Sequence, residues 1–138
     1  MTFVVGEDSL PPEHAARLLW TALGDFDLSG FLDGAKAVQG TQGRGVYSPR
    51  MMLTLWGYAL LQGVVHARAI ERRIVTDMHF RWIVGDILVK RAAISAFLVQ
   101  HRNAMVDLLA DVIGALMNAK LLFLPGHRLA QDGTKVRA

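Results

Sequence analysis

The sequence predicts an all-α fold, a bundle of about five helices with a short C-terminal strand segment. Of the 138 residues, 52% are apolar and 20% are charged, which suits one domain with a buried core. Apolar residues recur at threes and fours over several stretches of helical length. Only His127–Gln131 has the pattern of a short strand.

The first predicted helix covers "EHAARLLWTALG" and ends at Gly24. Ser9 is a capping residue type, and Pro11 and Pro12 suit a first helical turn. "DLSGFLDG" predicts one helical turn at most, and the glycines of "GTQGRG" predict a loop.

The second predicted helix begins with Ser48 as its cap and Pro49 as its first residue, and Gly63 ends it. Because Met51–Leu61 is apolar almost all round, we expect this helix at the centre of the bundle. An aspartate at position 55 or 60 should then unfold the domain.

Three further helices complete the predicted bundle. "HARAIERRIVTD" is amphipathic, with isoleucines on one face and arginines on the other. "MHFRWIVG" predicts a short helix stopped by Gly85, and a long helix follows from about Arg91 to Ala119.

Several kinds of chemistry are excluded or disfavoured by residue content. The chain has no cysteine, which excludes disulfides, thiolate zinc sites and cysteine nucleophiles. The five histidines include no pair at helical spacing, so no metal site is expected. "GTQGRG" lacks the preceding strand and the Lys-Ser/Thr of a phosphate-binding loop.

Charge is distributed unevenly along the chain. Residues 35–102 hold ten bases and three acids, a net charge of +7, whereas the chain as a whole carries +3. Such a segment suits a polyanionic partner. Arg68, Arg72 and Arg73 can share one exposed arc of a helix, which would meet phosphates or would be an ordinary solvated face.

Several motifs stand in a fixed order: Tyr47-x-Pro49-Arg50-Met51-Met52-Leu53, Gly63-Val64, Arg68-x-Ile70-Glu71, Phe80-Arg81-Trp82, Gly85 and Asp132-Gly133-Thr134-Lys135. This series resembles the N-terminal region of DDE-type insertion-sequence transposases, over nearly the whole chain. The resemblance implies a helix-turn-helix-like part and recognition of the terminal inverted repeats of the element's DNA. We expect phosphate contacts through Arg44, Arg50, Arg68, Arg72, Arg73, Lys90 and Arg91.

The resemblance also gives a role to Asp132. In these transposases the corresponding aspartate lies on the first strand of an RNase H-like domain and is the first of three acidic Mg²⁺ ligands. It implies a helical domain over residues 1–122 and the start of a catalytic domain over residues 123–138. We therefore expect a truncated, non-enzymatic chain without a cofactor, because Asp132 alone cannot hold two metal ions.

The last helix departs from the family pattern. Where relatives carry a hydroxyl and two arginines, this sequence has Ala93, Ala96 and Leu98. The resemblance places this helix as the second half of a helix-turn-helix, so base or phosphate contacts would be lost there. Binding should then be weak and mainly electrostatic.

Two alternatives remain beside DNA recognition. One is a helical regulatory protein that pairs with full-length transposase and inhibits it, or that forms a homo-oligomer. The other is membrane association through the seventeen uncharged residues "MMLTLWGYALLQGVVHA", although their glycines, Gln62 and His66 favour a core helix. We expect a cytoplasmic, nucleoid-associated protein with no membrane partner.

Overall fold

A computed structural model describes residues 10–32 and 47–122. These residues form five α-helices and a 3-10 turn over Ser29–Leu32, and they contain no strand. The helices are α1 (Ala15–Leu23), α2 (Pro49–Leu61), α3 (Ala67–Thr76), α4 (Met78–Val84) and α5 (Arg91–Asn118). The predicted all-α class is confirmed. The predicted cap Ser9, the glycine loop, the strand and the boundary at residue 123 lie outside the described residues.

Helix α2 is the centre of the bundle, as its sequence predicts. The Ser48 hydroxyl accepts a hydrogen bond from the Met51 N–H at 3.2 Å, and Pro49 occupies the first turn. Every residue from Met51 to Ala59 is buried. Helices α1, α4 and α5 all pack against α2, so its apolar surface is covered on several sides. Leu60 is 41% exposed, which corrects its placement in the core.

Helix α1 begins at Ala15, later than expected. His14 is its N-cap, and the His14 Nδ1 accepts a hydrogen bond from the Ala16 N–H at 3.1 Å. Pro11 and Pro12 precede this cap, so the prediction that they form the first turn is wrong. An imidazole nitrogen performs here the role that serine or aspartate usually fills.

Close packing fixes α1 and α5 on α2. A Cβ added at Gly57 would lie 3.1 Å from Leu109 and 3.3 Å from Leu19, so this glycine allows the three helices to approach. The Trp56 indole N–H donates to the Ile94 carbonyl at 3.2 Å, in a buried hydrogen bond that also joins α2 to α5.

The sequence predicted the end of α4 but not the kink within α5. Gly85 ends α4 in the left-handed conformation, with φ of 67°, as predicted. Within α5, His101 departs from helical geometry (φ −123°, ψ 21°), and its ring lies 5.1 Å from that of Phe31. The apolar period of α5 continues through this kink, so the sequence pattern did not reveal it.

In the described part of the chain, none of the helices combines the length and apolarity required to cross a membrane.

A charge at position 55 should unfold the domain, whereas one at position 60 should not. Leu55 is 0% exposed, so Leu55→Asp buries an unpaired carboxylate at a cost of about 3–5 kcal/mol. Leu60→Asp keeps its charge in water and serves as the matched control. Thermal denaturation followed by circular dichroism measures both. Equal stability of the two variants would contradict the central position of α2.

Stability should fall in mild acid because of His14. Burial lowers the pKa of His14 below 6.5, nearby His79 lowers it further, and Asp77 opposes the shift. The folded state thus disfavours the imidazolium, and protonation of Nδ1 removes the cap on α1. The contribution of His14 to the free energy of unfolding should be fully present above pH 6.5 and should decline as the pH falls below it.

The His14→Asn variant tests this origin, since asparagine retains a capping oxygen but does not titrate. We expect a smaller loss of urea midpoint between about pH 7.5 and about pH 5 than in the wild-type protein. If the urea midpoint of His14→Asn falls as much as that of the wild-type protein, other groups cause the acid sensitivity.

Candidate nucleic-acid interface

Side chains of α3 and of the segment that leads into α5 surround a groove of about 630 Å³. Among the described residues, its lining holds four cationic side chains and one carboxylate, a net charge of +3. The lining residues are Arg68, Glu71, Arg72, Val75, Thr76, Leu88, Lys90 and Arg91. Four of the seven predicted DNA-binding residues therefore lie together.

Because α3 is amphipathic, Arg68 and Arg72 lie on its exposed side, which borders this groove. Ile70 and Ile74 are buried, and α3 packs on α4 and α5. Arg68 and Arg72 are one turn apart on the exposed side. They also line an adjoining groove of about 390 Å³ together with His66 and Ala69. The two guanidinium groups thus face solvent along one side of α3.

Glu71 joins α3 to the first turn of α5. Its Oε2 accepts a hydrogen bond from the Arg91 backbone N–H at 2.9 Å, and its Oε1 lies 3.5 Å from the Arg91 Nε. Lys90, the N-cap residue of α5, makes no side-chain capping bond. Glu71 therefore caps α5 from another helix and places a negative charge at the positive end of its dipole.

Three of the four cations in the groove lack a partner among the described residues. The side chains of Arg68, Arg72 and Lys90 make no hydrogen bond or ion pair within residues 10–32 and 47–122. Arg91 is paired with Glu71 but remains 54% exposed. As far as residues 10–32 and 47–122 show, three positive charges of the groove are open to an anion.

Arg73 and Arg50 are placed elsewhere. Arg73 lies 3.9 Å from the Asp77 carboxylate and 5.9 Å from the centre of the Phe80 ring, and it does not line the groove. Arg50 donates from Nε to the Trp20 carbonyl at 2.8 Å, and its guanidinium lies 3.9 Å from the centre of that indole. In this structure Arg50 ties α2 to α1.

The other predicted site residues lie outside the description. Arg44 and Asp132 fall in the undescribed segments, so the structure gives neither a position. Within residues 10–32 and 47–122, no three His, Cys, Asp or Glu side chains are grouped so that they could hold a metal ion.

The role of Glu71 was not predicted from the sequence. A signal for it existed: Lys90 precedes the long helix where serine, threonine, asparagine or aspartate would be usual. A poor local cap implies that another part of the chain satisfies the first N–H groups. The apolar groove residues Val75 and Leu88 carried no comparable signal.

Comparison with known protein families places the chain in a described family. A family model described as "Transposase domain (DUF772)" matches residues 4–100. This span contains every residue that lines the groove. No curated protein and no solved structure matches the chain.

The capping role of Glu71 predicts a graded loss of stability. Glu71→Ala should lower the free energy of unfolding by about 1 kcal/mol, the usual cost of a lost cap. Glu71→Gln retains an acceptor oxygen and should lose less. Glu13→Ala, which removes an exposed carboxylate, is the control. Urea denaturation measures all three, and equal effects of Ala and Gln at position 71 would contradict the capping bond.

Proposed function

The chain belongs to the family described as "Transposase domain (DUF772)", and from this membership we propose that it is the DNA-binding region of a DDE-type insertion-sequence transposase. In this proposal it contacts the terminal inverted repeats of the element. Strand cleavage is assigned to a complete catalytic domain and not to the residues described here.

The proposal is supported by the convergence on one groove of cations that have no partner among the described residues. Arg68 and Arg72 come from α3, whereas Lys90 comes from the segment before α5. Bases that meet across about twenty residues of sequence are not explained by the spacing of one solvated helix face. Flexible cations in a groove of net charge +3 can bind successive phosphates and release their counterions.

The start of α5 offers few groups for reading base edges. Ala96 is exposed but has no polar group, and Leu98 is half-buried against the core. Arginine at position 98 would therefore disturb packing in this structure. Phosphate attraction is the larger part of the proposed binding, with a dissociation constant on the order of 10 µM or weaker at physiological salt.

A second candidate function rests on a different surface. Beyond the kink at His101, exposed residues of α5 are spaced by three and four, as in the repeat of a two-stranded coiled coil. They are Asn103, Val106 and Ala110. Arg102 and Asp107 flank this face five residues apart, the separation that pairs opposite charges across parallel helices. This face suits a second copy of the same helix, such as that of a full-length transposase.

The salt dependence of DNA binding tests the first function. Each phosphate contact should add about 0.9 to the slope of log affinity against log salt. Arg68→Ala combined with Arg72→Ala should therefore reduce the slope by roughly 1.8. Fluorescence anisotropy of a labelled duplex measures it, with Lys120→Ala as a control for an exposed base outside the groove.

An unchanged slope in the double variant would remove the groove from the proposal. The absence of binding even at low salt would refute DNA recognition by this chain.

Sedimentation tests the second function. Val106 is 52% exposed, so Val106→Glu should leave the fold intact while placing like charges opposite each other in a pair of α5 helices. We expect wild-type protein to gain mass with concentration and the variant to remain monomeric. A monomeric wild-type protein at about 100 µM would contradict this candidate.

A further inference from the structure

The basic groove has an apolar wall for which phosphate binding alone gives no reason. Val75 is 54% exposed and Leu88 is 49% exposed, and both line the groove beside the cations. Ile87, 53% exposed, joins them around an adjoining groove of about 170 Å³. Three branched apolar side chains thus form a continuous exposed strip, defined here as the Val75–Ile87–Leu88 strip.

This strip lies between elements that the fold holds in place. Val75 is on α3 next to buried Ile74, and Leu88 precedes buried Val89. Glu71 fixes the start of α5 against α3. The exposed apolar surface is therefore presented at a set position relative to Arg72 and Lys90.

A partner that matches this surface would combine negative charge with an apolar group nearby. Duplex DNA has one such apolar group on its base edges, the C5-methyl of thymine, which projects into the major groove between the phosphate backbones. Small apolar side chains recognise it by direct contact. The combination of cations and aliphatic side chains in one groove matches this arrangement.

We propose that the Val75–Ile87–Leu88 strip contacts thymine methyl groups in the major groove while Arg68, Arg72 and Lys90 hold the neighbouring phosphates. This inference rests on the proposed DNA binding and deepens it, because it assigns a base preference to a site otherwise limited to phosphates. It also predicts discrimination against duplexes that carry uracil in place of thymine.

Replacement of thymine by deoxyuridine tests the proposal directly. An alternating dA·dT duplex and its dA·dU counterpart have the same phosphate charge and base pairing and differ by the methyl group. The full 138-residue protein should bind the dA·dU duplex more weakly, by roughly fourfold for each methyl contacted. That factor corresponds to about 0.8 kcal/mol for one buried methylene-sized group.

Two variants of groove residues test whether the strip causes the difference in affinity between the two duplexes. Leu88→Ala and Val75→Ala should each reduce the ratio between the two duplexes without changing the salt slope, because neither removes a charge. Both positions are about half exposed, so folding should be retained. Leu121→Ala is the matched control, since Leu121 is 54% exposed and lines neither groove.

The outcomes separate this inference from the proposed function. Equal affinity for the two duplexes refutes methyl contact but leaves phosphate binding intact. A methyl effect that survives in both groove variants refutes its assignment to the strip. No binding of either duplex refutes both proposals. Loss of self-association in Leu88→Ala, with equal duplex affinities, would identify the strip as a protein interface instead.

Discussion

The burial of α2 is the constraint on which the rest of the structure depends. Nine consecutive residues, Met51–Ala59, are buried, so this stretch of the helix has no side exposed to water. Other helices must surround it, and α1, α4 and α5 do so. Gly57 allows the close approach of α1 and α5, and the buried Trp56 indole requires the Ile94 carbonyl as its partner. Together these requirements fix where α5 begins relative to the core.

Helix α3 owes its exposed position to this arrangement. It packs on α4 and α5, with Ile70 and Ile74 as its buried contacts, while the opposite side remains in water. Its one groove carboxylate, Glu71, is engaged by the start of α5. The same bond that stabilises the helix start therefore engages a carboxylate that lies beside Arg72 in the sequence and lines the same groove. Among the described residues, fold stability and the positive charge of this surface thus depend on one contact.

Two surfaces of different chemistry result, and they suit different partners. The groove between α3 and the start of α5 is basic with an apolar wall, which suits nucleic acid in a member of a transposase-domain family. Beyond the kink at His101, the outer face of α5 carries Asn103, Val106 and Ala110, which suits a second helix.

The sequence by itself determined the helical class, the central helix and most helix ends, because caps such as Ser48 and stops such as Gly85 act within a few residues. It also determined that Arg68 and Arg72 share a face. Only the tertiary structure decided that Arg50 packs on Trp20, thirty residues away, and that Glu71 caps a helix twenty residues away. Leu60 was likewise assigned to the core by its composition, and only the packing left it exposed. Hydropathy and local spacing define what a helix needs to bury or pair, but the partner is set by how distant elements come together around α2.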